Sequence, residues 1–227
     1  MDRIFDRIVV AVPNLEAAIG GYECLLGGST VQDGKSASWV LDNTTIELVQ
    51  RDVEVCGLAG LVMASARESA QSRVLENSLG LDLCVCDGSS TDALRSASEQ
   101  TSAVRVDHLV LHTPDAERTI AVFRDELGVR LALDQTVPKW GGRMLFFRGG
   151  KMTLEVIVPD EDEGKGSYFW GIAYQCDDIQ ATVKAMASRG VALSQVRDGR
   201  KPGTRVATVK SHALDIPTLL IQPAPRD

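Results

Sequence analysis

Apolar residues run almost unbroken from Ile4 to Val12, as in a largely buried strand, and Pro13-Asn14 ends the run. From Leu15 the apolar spacing turns helical, through Ala18, Ile19, Tyr22, Leu25 and Leu26, until Gly27-Gly28 stops it. Three strand-like runs follow, near Ser29 to Gln32, Ala37 to Leu41 and Thr44 to Gln50. The pattern predicts one unit: strand, helix, three strands.

The same text then returns. Asp6-Arg7-Ile8-Val9-Val10 reappears as Asp107-His108-Leu109-Val110-Leu111, a shift of 101 positions that also carries Glu16 onto Glu117, Tyr22 onto Phe123 and Gly27 onto Gly128. The second copy has a strand over 106–112, a helix capped by Asp115, and strands near 129–134, 143–148 and 152–158. Each copy is followed by a variant unit opening on glycine: Gly60-Leu61-Val62-Met63 before a predicted helix over 66–78, and Gly171-Ile172-Ala173-Tyr174 before a helix from Asp178 to Arg189. After Leu81 to Cys86 the second unit turns polar and its last strands are not legible; opening it at Gly80, with the helix after Thr91, is an alternative register. The last unit closes with strands over 203–209 and 217–222. Two domains are expected, 1–103 and 104–227.

Composition narrows the class without naming it. The 227 residues are 44% hydrophobic and carry a net charge of −7, with basic residues scattered along the chain. Nucleic acid and anionic membranes are therefore poor partners, and small molecules fit better. No apolar run is long enough to span a bilayer, and Met1-Asp2-Arg3 leads straight into a strand pattern, so a cytoplasmic location is expected. Five cysteines, odd in number and mostly embedded in apolar patterns, read as reduced thiols, and Cys84 with Cys86, alone, is thin support for a metal. No phosphate loop, dinucleotide fingerprint or nucleophile elbow occurs, and Asp160 to Gly166 lacks the ligand spacing of a calcium loop.

A unit that opens with Asp107-His108, closes its helix with Leu127-Gly128 and ends in Thr153-Leu154-Glu155-Val156, followed by Gly171 to Asp178, resembles the vicinal oxygen chelate superfamily of glyoxalases, extradiol dioxygenases and bleomycin-resistance proteins. The resemblance spans nearly the whole chain. It implies an α+β fold of tandem βαβββ modules forming two half-open barrel domains. It also implies a metal bound by residues on the first and last strands of each unit. On that pattern His108 and Glu155 are candidate ligands for iron, manganese, zinc or nickel, while the positions of the other two ligands hold Gly171 and Leu220. The N-terminal equivalents are Arg7, Glu47 and Gly60, which read better as a salt bridge in a scaffold.

Strand alternation puts His108, Val110 and His112 on one face and Leu109 and Leu111 on the other, with Glu155 likewise opposite Leu154 and Val156. Two ligands make an incomplete metal site, and His112 lies about 13 Å along the strand from His108, too far to share an ion. Three readings of the pair stay open: metal ligands, a metal-free acid–base pair that moves a proton beside a carbonyl, or an inherited hydrogen-bonded pair without chemistry. Trp140, in a loop present only in the second copy, and Phe146 are candidate apolar walls. Arg148 and Arg205, at strand ends, are candidate clamps for a carboxylate, and Gly171 borders the same cleft.

Two function classes follow from the resemblance. One is an enzyme of lyase, isomerase, epimerase or dioxygenase type acting on a small oxygen-rich or aromatic molecule. The other is a metal-free protein that sequesters such a compound. The chain as a monomer or a homodimer is compatible with both.

Overall fold

A computed structural model describes residues 5–28, 31–65, 73–77, 79–87, 105–137, 142–161, 164–211 and 214–225. The first unit is β1 (Phe5–Val12), α1 (Leu15–Leu26), β2 (Val31–Asp33), β3 (Ser36–Val40) and β4 (Thr45–Gln50). The second contributes β5 (Gly57–Ser65), β6 (Arg73–Val74) and β7 (Asp82–Asp87). The third is β8 (Arg105–His112), α2 (Ala116–Ile120) wound on as a π-helix over Ala121–Glu126, β9 (Arg130–Val137), β10 (Gly142–Gly149) and β11 (Met152–Pro159). The fourth is β12 (Tyr168–Gln175), α3 (Ile179–Ser188), β13 (Arg197–Asp198), β14 (Arg205–Val209) and β15 (Thr218–Gln222).

The helices start where the sequence supplies a side-chain acceptor. Asn14, Asp115 and Asp178 each accept from an amide of the first turn, and Gly27, at φ 68°, ends α1 in a conformation that glycine adopts without strain.

The strands form two mixed sheets, ordered β2-β3-β4-β1-β5-β7-β6 and β13-β14-β15-β12-β8-β11-β10-β9. In each, the opening strands of two successive units run antiparallel at the centre, and each is flanked by the closing strand of its own unit in parallel. The helix-side faces share one continuous core that includes Tyr22, Trp39 and Leu61 from the first half and Leu109, Phe123, Tyr174 and Leu220 from the second. Burying such surface stabilises the fold by about 25 cal/mol per Å². The opposite, open face of the first sheet carries a small cluster of Val9, Val62 and Cys86.

Two irregularities repeat at the duplication shift. In β1 the pairing with β5 slips between Phe5 and Arg7 and again between Val9 and Val10; in β8 the pairing with β12 slips around Asp107 and again opposite Trp170. Each is a β-bulge, which leaves one residue without ladder bonds and re-aims its side chain.

The second unit differs from its expected form. Arg73–Val74 is strand and residues 75–77 are not helical, so the helix predicted over 66–78 is not formed there; 66–72 lie outside the described residues. Leu81 to Cys86 is the closing strand itself, parallel to β5. Gly60 pairs with Val9 as Gly171 pairs with Val110, so the unit opens at Gly60 rather than Gly80. Residues 88–104, which hold the rest of the alternative register, lie outside the described residues. No described helix is long and apolar enough to cross a membrane.

Candidate functional site

The open face of the second sheet gathers the predicted residues in rows. Ladder pairing runs Arg148, Thr153, His108, Ala173 and Leu219 across five strands, and beside it Phe146, Glu155, Val110 and Gly171 across four. The row beyond holds Met144, Ile157, His112 and Tyr168. Leu109, Leu111, Leu145, Phe147, Leu154 and Val156 lie in the core on the other side, as alternation requires.

His108 sits between two carboxylates. Its Nδ1 is 3.0 Å from Asp107 Oδ1, and its Nε2 is 3.8 Å from Glu155 Oε2. The first is a hydrogen bond, in which an ionised carboxylate accepts a proton carried on Nδ1; the second is a looser ion-pair distance. The bulge explains how adjacent residues of one strand meet, because Asp107 lacks a ladder partner in β12 and turns toward its neighbour's ring. The side chains of Asp107, His108 and Glu155 are 36%, 19% and 20% exposed, so they are open to a solute and partly desolvated. Burial opposes the charge on Asp107, but the hydrogen bond and charge of His108, with the positive charges of Lys201 and Arg148, outweigh it. The carboxyl is held below its usual range.

Asp107 is absent from the residues that the sequence singled out as chemical. A signal for it exists: aspartate precedes the key residue in both copies, Asp6-Arg7 and Asp107-His108. The first half shows the same arrangement with a guanidinium in place of the imidazole. Arg7 lies 3.1 Å from Asp6 and 3.5 Å from Glu47, which is the salt bridge expected there.

Other expected residues fall in several places. Arg148 is exposed on the His108 row and donates to Thr153 Oγ1 at 2.8 Å. Phe146 is directly opposite Glu155. Arg205 shares the strand face of Ala207 and Val209, which belong to the core, and so stands on the helix side of the sheet. Trp140 lies outside the described residues. Trp170 is the bulged residue of β12, 47% exposed, with its ring 5.8 Å from that of His112, which in turn stacks on Tyr168 at 5.3 Å. The second histidine of the strand is thus part of an aromatic row.

The described residues do not form a three-ligand metal site. At Gly171 a Cβ would come within 2.8 Å of the Pro217 carbonyl oxygen, so a side chain reaching an ion from there requires the backbone to move. Leu220, aligned with a closing ligand, is fully buried in the core, and the residues of β15 on the open face are Leu219 and Ile221. Among the described residues, no three His, Cys, Asp or Glu side chains converge on one point.

A cavity of about 300 Å³ lies elsewhere, on the helix side, between Gly20 to Leu25 of α1 and Arg189 to Val191. The guanidinium of Arg189 there donates to the carbonyls of Cys24 and Leu25, and the described lining residues include no acid–base pair. The chemistry therefore points to the open face rather than to this cavity.

Comparison with known proteins agrees with the fold. A mutant of 4-hydroxymandelate synthase from Streptomyces coelicolor superposes with a TM-score of 0.72 at 14% identity, covering 100% of this chain and 94% of that one. A xylose isomerase-like TIM barrel/4-hydroxyphenylpyruvate dioxygenase fusion protein gives 0.69 at 14% identity, over 98% of this chain and 49% of the other. Methylmalonyl-CoA epimerase from Mycobacterium tuberculosis matches 55% of this chain and 91% of its own at 20% identity, with a TM-score of 0.45. No curated protein matches the sequence. The family model for the Glyoxalase/Bleomycin resistance protein/Dioxygenase superfamily matches residues 107–208. Residues 107–208 thus match that superfamily's model, within a chain folded as tandem modules.

Proposed function

We propose that the second half of the chain, 104–227 on the domain division expected from sequence, is an enzyme that moves a proton on a carbon next to a carbonyl, with His108 as the base. The observation that carries this reading is the pairing of His108 with Asp107. A proton held on Nδ1 leaves the Nε2 lone pair toward the open face, beside Glu155. When Nε2 takes a proton from the substrate carbon, the C–H electron pair passes into the carbonyl as an enolate. The imidazolium that forms lies between two carboxylates, and the proton returns from it to the same carbon or to another atom of the enolate.

The surroundings suit a small molecule with an aromatic or apolar body and an oxygen-rich end. Trp170, His112 and Tyr168 offer ring faces on one side of the pair, with Phe146 and Ile157 beside them. Arg148 and Lys201, whose charges act on Asp107, offer cationic partners on the other. A metal held by His108 and Glu155 would need further ligands from the substrate, and no step of this reading passes through one. The aromatic row, with Trp170 exposed at its edge, also favours a second reading, capture of an aromatic compound without turnover.

The test is hydrogen–deuterium exchange at the carbon beside the carbonyl of aryl-substituted 2-oxo acids and related thioesters, followed by proton NMR in D₂O. The expected result is exchange that chelator leaves intact and that His108→Ala slows by about 10²- to 10⁴-fold. Exchange that appears only on addition of iron, manganese, zinc or nickel would replace this reading with the metal one. Binding without exchange, with equal affinity in His108→Ala, would leave sequestration.

A further inference from the structure

We infer that Asn43, in the first half of the chain, is a positioning residue for the Asp107–His108 pair in the second. Asn43 lies in the turn between β3 and β4 and is 8% exposed. Its side-chain amide donates to the Val106 carbonyl at 2.7 Å, and its Oδ1 accepts from the Val106 amide at 3.0 Å. These are the two bonds that a neighbouring strand would supply. They are supplied by a side chain because the β8–β11 ladder begins only at the His108–Thr153 pair, leaving Val106 without a partner on that side.

The position matters because of what comes next. Asp107 is the bulged residue and is fixed mainly by its flanks. One flank, His108, is in the ladder on both sides; the other, Val106, is fully buried and clasped by Asn43. If the clasp is removed, a buried N–H and C=O lose their partners, and the strand relieves this by shifting at the bulge. Such a shift moves the Asp107 carboxylate relative to Nδ1. The first half then serves the site through one amide, beyond any role as scaffold. This inference rests on the reading that Asp107 holds the Nδ1 proton of His108.

The test is the tautomer of His108, read by long-range ¹H–¹⁵N correlation on the full-length protein with the ring neutral. Three histidines make assignment tractable. The wild-type ring is expected to carry its proton on Nδ1. Asn43→Ala is expected to move the Nδ1–H to Nε2–H ratio roughly tenfold toward Nε2–H, about the weight of one hydrogen bond. Asn43→Asp keeps the acceptor and loses the donor, so it is expected to lie between, and it serves if the alanine variant does not fold. Arg189→Ala removes a different contact between the halves, to the Cys24 and Leu25 carbonyls, and is expected to leave the ratio unchanged. A ratio that ignores both Asn43 variants, or that responds equally to Arg189→Ala, overturns the inference while the Asp107 reading stands. A wild-type ring protonated on Nε2 overturns both.

Discussion

Gly60 and Gly171 hold the same place in the two halves, each paired with the central valine of its opening strand, Val9 and Val110. Each also presses on the backbone of the neighbouring parallel segment, Gly60 at the first residue of β7 and Gly171 at the residue just ahead of β15. A Cβ at Gly60 would meet the Asp82 carbonyl oxygen at 2.6 Å, and one at Gly171 would meet that of Pro217 at 2.8 Å. The close approach of two backbones requires glycine at both positions, whatever the chemistry of the site.

Gly171→Ala is therefore expected to cost about 1 to 3 kcal/mol by overpacking, seen as a fall in Tm of about 2 to 4 °C for each kcal/mol. Gly171→His is expected to cost more and to bind no divalent ion at stoichiometric level. Thermal unfolding, with metal content measured by mass spectrometry, checks both. A stable histidine variant that gains one metal per chain would refute the steric argument.

Asp107→Asn replaces an acceptor by a group that can also donate, and so frees the Nδ1 proton of His108 to move to Nε2. If the pair acts in proton transfer, exchange activity falls at least about tenfold with substrate affinity little changed. A fall in affinity alone would assign Asp107 to binding. The carboxyl is held low in the folded state, so its stabilisation is present above the unfolded value of 3.8 and is lost as pH drops through the lower folded value. The difference in denaturant midpoint between wild type and Asp107→Asn should accordingly shrink on acidification.

Much of this was legible in the sequence because hydrophobic periodicity is local. The repeat of Asp6-Arg7 as Asp107-His108, the glycine stops and the strand alternation around His108 and Glu155 placed both residues on the open face. The bulges left no such mark. An extra residue in a strand does not alter the apolar pattern of β8, so the turn of Asp107 toward His108 appears only when β12 is paired with it. Leu220 illustrates the same limit: alignment by motif put it on the ligand face, but pairing with Tyr174 and Ala207 buries it in the core. Asn43 is 63 residues from Val106, and nothing local links the two.

Tyr22 and Tyr174 join the two halves through adjacent buried hydroxyls. Burial pushes the Tyr22 phenol up to about 12 and raises Tyr174 well above 10. A raised folded value means that the stabilisation is complete below pH 10, where the unfolded phenol is neutral, and is lost as pH rises toward 12. Absorbance at 295 nm should show delayed ionisation in the folded protein. Tyr22→Phe should flatten the alkaline loss of stability, and an unchanged alkaline limb would argue against the burial of this pair.

Arg7→Ala is expected to destabilise the chain by about 3 kcal/mol, because it takes the guanidinium from the buried Asp6 and from Glu47. Chemical denaturation measures this directly. Arg7→Lys should recover part of the loss, since an ammonium matches the charge but not the two-sided geometry. A loss below about 0.5 kcal/mol, the level of an exposed pair, would mean that water already solvates these carboxylates.

The repeated socket gives this molecule an internal reference. A guanidinium offers donors alone, whereas an imidazole holds a proton that can sit on either ring nitrogen. Salt, temperature and crowding act on Asp6-Arg7-Glu47 and on Asp107-His108-Glu155 through the same backbone geometry. A response confined to the second socket therefore reports the proton, and a response common to both reports the fold. Within one polypeptide the two are compared at the same concentration, in the same solvent and with the same history.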